Sequence, residues 1–250
     1  MSVNEDGQQI AFYVPKATPA MKAAAIYAVV VWLTLMVGAQ VAHEGTLRLL
    51  SYVILVPMRI VPGLQLWRAF TYVLVESPLG VGGLFDALAF WWIGSPLERR
   101  VGLGHTIGFA VAGAVGGAIL AVAVSHFSVA LNMQPILGMA PITGALLIGW
   151  GFQYADQQVN FFGMGAMSGK QLTLALAAVS VVFSLISFSA ASFASIGGML
   201  GGLAYSMIIK RAGGTQRGSG DRDRGTRKRR SSGERFRVIQ GGRDDKTMWN

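Results

Sequence analysis

Cysteine is absent from this 250-residue chain, which removes disulfides and thiolate metal sites and leaves the redox compartment unread. Charge is scarce: Asp, Glu, Lys and Arg make up 13% of residues, about half of the ~25% usual in soluble domains. Histidine occurs three times, at His43, His105 and His126, without the spacing of metal ligands, so neither a metal nor another cofactor is expected. A cleavable leader is not indicated, because the first twenty residues are polar and mixed and the first apolar run is long enough to span. Few polar residues interrupt the apolar runs and no inverted repeat is visible, which argues against a pore or transporter. What the chain does have is 52% hydrophobic residues and a mean hydropathy of +0.49. Several runs reach the ~20 residues that a bilayer crossing requires. The fold class is all-α, a polytopic membrane helical bundle.

Taken in order, residues 1–21 form a polar cytoplasmic arm in which Pro15 and Pro19 discourage helix. Residues 22–210 form the membrane domain and 211–250 a basic, Gly/Ser/Arg-rich tail expected to be disordered. The first span is expected at 22–41. The connection at 42–83 is broken by Pro57, Pro62 and Pro78 and punctuated by Arg48, Arg59, Arg68 and Glu76, which reads as amphipathic pieces lying in the interface. Further spans are expected at 84–97, 104–124, 141–154, 172–188 and 193–209, six in all. The second and fourth are short, and the break between the fifth and sixth rests on serines alone.

Positive charges set the orientation. Lys16 and Lys22 precede the first span, Arg99 and Arg100 follow the second, and Lys170 precedes the fifth. Residues 125–140 and 187–192 carry no formal charge. Both termini therefore face the cytoplasm, and a bacterial inner membrane is expected, with an organellar membrane as the alternative. From Lys210 onward there are 13 Lys/Arg against 5 Asp/Glu, so the tail holds +8 of the net +9. Its cluster Arg227, Lys228, Arg229 and Arg230 suits anionic lipid, at about 1 kcal/mol per residue near the surface; a purely topogenic role is the simpler reading. Nucleic-acid binding is disfavoured, since no aromatic platform accompanies the charges. The apolar residues Phe236, Val238, Ile239 and Trp249 suggest a docking segment for a partner.

Four stretches carry a resemblance. They are Gln65–Tyr72 with Trp67-Arg68, Leu84–Glu98 ending in Gly94-Ser-Pro-Leu-Glu98, Thr143-Gly144-Ala145 at the head of the fourth span, and Ile196–Leu203 with Gly197/Gly201 and Gly198/Gly202. In this order and spacing the chain resembles the rhomboid superfamily over about residues 24–210, which implies a six-span core with an interfacial first loop. The resemblance also implies a serine nucleophile, a histidine base and His and Asn donors for the oxyanion. Here the nucleophile position holds Thr143, with Pro141 in place of its leading glycine. The base position holds Ser195, the Asn position Asp86 and the oxyanion His position Gly82. Serine is a weak nucleophile without a base, and loss of one member of such a pair removes most of the rate. The resemblance thus implies a pseudoprotease that binds transmembrane segments of clients or partner subunits as a chaperone, quality-control factor or adaptor. An atypical protease using Thr143, with Asp86 as an unconventional base, is the alternative; a structural subunit docked by its tail is a third.

The remaining positions carry plainer expectations. Asp86 is expected at a wet interface, two residues inside its span. Trp67 and Arg68 are expected to anchor the first loop at the headgroups, through phosphate or loop carbonyls. Glu98 is expected to pair with Arg99, Arg100 or the loop backbone. The glycines of the third and sixth spans are expected to line helix contacts, and Phe161 and Phe162 to dip into the bilayer surface.

Overall fold

A computed structural model describes residues 16–63, 65–78, 81–160 and 166–227. The first helix, α1, is Pro19–Val41. Pro19 begins it instead of excluding it, because the first helical position needs no N–H donor and the proline φ suits a helix. Thr18 caps the helix by accepting from the Met21 N–H at 3.4 Å, and its hydroxyl donates to the Glu98 carboxylate. The buried positions Met21, Ala25, Ala28, Trp32 and Leu35 form one stripe at helical spacing.

The connection that follows folds into short helices, α2 (His43–Val53), α3 (Pro57–Gly63) and α4 (Arg68–Thr71), and a 3₁₀ turn at Tyr72–Leu74. It does more than lie in an interface, since Leu55, Tyr72 and Val73 are buried in a cluster with Ala114, Ala118 and Ala121. Backbone polar groups held in an apolar layer need partners inside the protein, and this connection supplies them. Leu55 and Ile136 exchange backbone hydrogen bonds of 3.0 and 2.8 Å. The Arg68 guanidinium, 3% exposed, donates to the Ile54 carbonyl and to Gln65, and the Trp67 indole N–H reaches the Tyr52 carbonyl at 3.4 Å. Of the two partners expected for Arg68, loop carbonyls are the ones found.

From Gly82 the chain stays helical to Val101 through α5 (Gly82–Ala89), a π-helical segment at Phe90–Gly94 and α6 (Ser95–Val101). Next come α7 (Leu103–Ser125), α8 (Val129–Met133) and α9 (Ala140–Gln153). A small antiparallel hairpin, β1 (Gln158–Asn160) with β2 (Ala166–Ser168), is an exception to the all-α expectation; Phe161 and Phe162 lie outside the described residues. The last helices are α10 (Gly169–Ser187) and α11 (Ala190–Arg227). Phe188 separates them in a left-handed conformation, φ 39°, so the serine-rich break is a true turn. The compact unit ends at Ile209 and a second unit covers Lys210–Asn250. α11 runs to Arg227, into the tail; adding a residue to an existing helix forms one hydrogen bond without a new nucleus. Among the described residues four helices, α1, α7, α10 and the Ala190–Arg211 part of α11, are long and apolar enough to cross a bilayer. The chain is thus an all-α membrane protein with one small hairpin.

The glycines of α11 face two different helices. A Cβ on Gly197 would meet the Gly116 carbonyl, and one on Gly201 the Ala112 carbonyl, both on α7. A Cβ on Gly198 would meet the Pro141 backbone, and one on Gly202 the Ala145 backbone, both on α9. The two overlapping pairs therefore seat α11 against α7 and α9 at once. Gly104, with nothing within 4 Å of a Cβ, provides the contrast. In thermal unfolding in nanodiscs, Gly198→Ala and Gly201→Ala are expected to destabilise by about 1–3 kcal/mol through overpacking, while Gly104→Ala is neutral or stabilises by up to ~1 kcal/mol. A second outcome concerns Thr18 and Glu98. Thr18→Ala is expected to cost about 1 kcal/mol, and a Thr18→Ala/Glu98→Ala cycle to show a coupling above ~0.5 kcal/mol; additive losses would mean that the contact is passive.

Candidate functional site

Thr143 lies in the first turn of α9, just after Pro141. Its hydroxyl stands 3.2 Å from the Asp86 Oδ1 and 3.1 Å from the Ala140 carbonyl. A hydroxyl has one proton to donate, so each of these contacts draws on the same group. Asp86 projects from α5 and is 8% exposed, which corrects the expectation of a wet carboxylate. The helix begins at Gly82, two residues before the expected start, and the connection folds over the aspartate.

The group that covers Asp86 is Glu76, 7% exposed. The two carboxyl groups lie close enough to interact directly. Glu76 Oε2 accepts from the Met139 N–H at 3.0 Å and Oε1 from the Ser77 N–H at 3.1 Å. A Cβ at Gly82 would stand 2.7 Å from Glu76 Oε1, and Gly138, at φ 128°, brings its backbone beside the same carboxylate. Gly82 therefore leaves room for Glu76, and Gly138 supplies the turn that aims Met139 at it. Sequence reasoning missed Glu76 as a site residue. The available signal was an acidic side chain between Val75 and Ser77-Pro78 in an otherwise apolar stretch.

Of the four aligned positions, the structure brings together Thr143, Asp86 and Gly82. Ser195 does not join them through its side chain: its hydroxyl donates to the Ala191 carbonyl of its own helix at 3.2 Å. Its carbonyl instead faces Gly144, where a Cβ would stand 3.5 Å away. None of the histidines reaches this centre. His105 contacts the Tyr205 hydroxyl, His126 the Val122 carbonyl and His43 the Ala39 carbonyl.

The chemistry of this arrangement is acceptor-rich. Stabilising an oxyanion takes preorganised donors, each worth about 2.7–4 kcal/mol when removed. Around the Thr143 hydroxyl the neighbouring side chains are carboxyl groups, and the nearby Met139 N–H is engaged by Glu76. Among the described residues no group of three or more His, Cys, Asp or Glu could hold a metal ion.

The outlying motif residues act as joints. Gly94 admits the Met21 sulfur, with 2.6 Å to a built Cβ. Glu98 binds Thr18, not one of the partners expected for it, while Arg99 donates to the Lys16 carbonyl and Arg100 lies over the Tyr154 ring at 4.9 Å. Arg227 ends α11; Lys228, Arg229 and Arg230 lie outside the described residues.

No curated protein matches the chain. A family model described as eukaryotic integral membrane protein (DUF1751) matches residues 23–233. The match moves the chain from the expected bacterial inner membrane to a eukaryotic one. It covers most of the chain, which thus belongs to the DUF1751 family of eukaryotic integral membrane proteins.

Proposed function

We propose that this protein is a non-catalytic, rhomboid-like membrane protein that binds transmembrane segments of client or partner proteins, in a chaperone, quality-control or adaptor role. The observation that carries the reading is the carboxyl pair Glu76–Asp86 beside Thr143. It places carboxyl groups, in place of the His and Asn that the rhomboid resemblance implies, beside that hydroxyl, and the Ser195 hydroxyl is engaged with its own helix. In this reading Gly82–Val101 and α9 are the second and fourth of six spans, and both termini face the cytoplasm. The N-terminal arm, the 22–210 membrane domain and the basic tail keep the boundaries drawn from composition, with the Arg227–Arg230 cluster available to anionic lipid or a partner.

The physical basis for binding is the short fourth span. Fourteen residues in α9 give about 21 Å of helix against a ~30 Å hydrocarbon core. In this reading the bundle is short around α9, and the bilayer thins where that short region meets lipid, which lowers the cost of admitting a helix that carries polar groups. The alternative, a protease using Thr143, draws on the Thr143–Asp86 hydrogen bond, since Asp86 is the side chain that meets that hydroxyl and a carboxylate can take a proton.

The two readings separate in one set of experiments. Incubated with several transmembrane model substrates in liposomes, the protein is expected to leave all of them intact, and Thr143→Ala to behave as wild type. Photo-crosslinkers placed in α5 and α10 are expected to capture transmembrane segments of other proteins. Cleavage abolished by Thr143→Ala would establish the protease, and crosslinks to lipid alone would sink the client-binding role.

A further inference from the structure

A cavity of about 190 Å³ lies between α1, α7 and α9, beside the 3₁₀ turn and the π-helical segment. Its walls include Met21, Ala24 and Tyr27 from α1, Ile107 and Ala110 from α7, and Leu146 from α9. Two polar side chains reach it, and both are already bonded elsewhere. The Tyr27 hydroxyl donates to the Leu74 carbonyl at 2.7 Å and the Thr106 hydroxyl to the Gly102 carbonyl at 3.0 Å. A water there would find only acceptor lone pairs on these two hydroxyls in an otherwise apolar lining, and apolar cavities of this size stay dry and take apolar guests. Tyr27 and Ile107, 44% and 53% exposed, form a rim open to the outside of the bundle. Both belong to helices that are long and apolar enough to cross the bilayer, and a span of that kind turns its exposed side chains to lipid.

We infer that this cavity is a binding site for one acyl chain of a bilayer lipid. A helix is 10–12 Å across with its side chains and cannot enter a space this small, whereas a run of methylene groups can. The surrounding bilayer supplies such chains at high concentration, and the lining offers nothing to a headgroup. Glu76, Asp86 and Thr143 do not line the cavity, although Met139 and Ile142 of its wall adjoin them, and the site does not depend on the client-binding reading. Its widened neighbour, the π-helical turn, contributes Phe90 to the lining, and π-bulges recur at functional sites.

The test uses the full chain in nanodiscs that contain phosphatidylcholine with a mid-chain diazirine. After photolysis, adducts are mapped by peptide mass spectrometry. Adducts are expected to concentrate on the Tyr27 and Ile107–Ala110 peptides, several-fold above those on the outward face of α10. Ala110→Phe is designed to fill the space and is expected to lower those adducts several-fold while leaving the α10 adducts unchanged. Ala24→Leu provides the smaller filler if Ala110→Phe fails to fold. Even labelling of all spans, or labelling unchanged by either filler, would overturn the site, as would adducts to a second protein at Ile107 in native membranes.

Discussion

The Glu76 carboxylate joins two segments that the chain order separates by 63 residues, through its hydrogen bond from the Met139 N–H. A hydrogen bond to a charged group contributes about 1.5–3 kcal/mol, and a carboxylate left unpaired in the interior costs more. Glu76 also sits at the N-terminal end of α9, where negative charge is favoured by the helix dipole. The same side chain meets Asp86, which meets Thr143. One residue therefore sets the position of the first connection, the start of α5 and the start of α9 together. Everything proposed for the centre depends on that carboxylate staying where it is.

Below that centre the bundle is held by close backbone approach. Gly113 meets Pro141 on α9, and the glycines of α11 meet α7 on one side and α9 on the other. In lipid no hydrophobic drive separates helix from solvent, so contact of this kind supplies the packing. At the end of the bundle where α1 begins, Thr18 with Glu98 and Arg99 with the Lys16 carbonyl tie the start of α1 to α6.

Much of the fold was legible because apolar run length reports spans directly. Boundaries at 104–124 and 172–188 were expected, against Leu103–Ser125 and Gly169–Ser187 in the structure. The failures have local causes. Pro19 was read as a breaker because its role at the first helical position depends on where the helix starts. The hairpin at Gln158–Asn160 and Ala166–Ser168 is too short for its alternation to show. Of the site, Thr143, Asp86 and Gly82 were legible through a family pattern, yet the residue that binds them was not. Glu76 lies outside every matched motif, and only folding brings it to Met139. Asp86 was misjudged as wet for the same reason, since its cover comes from Glu76, ten residues upstream.

Amide hydrogen exchange over residues 136–143 in nanodiscs, compared between wild type and Glu76→Ala, tests the central claim most directly. The account predicts that the Met139 amide and the first turn of α9 are protected in wild type and lose most of that protection in the variant, while α7 stays protected. Equal protection of residues 136–143 in the two proteins would contradict it, because α9 would then be held in place without the Glu76 carboxylate.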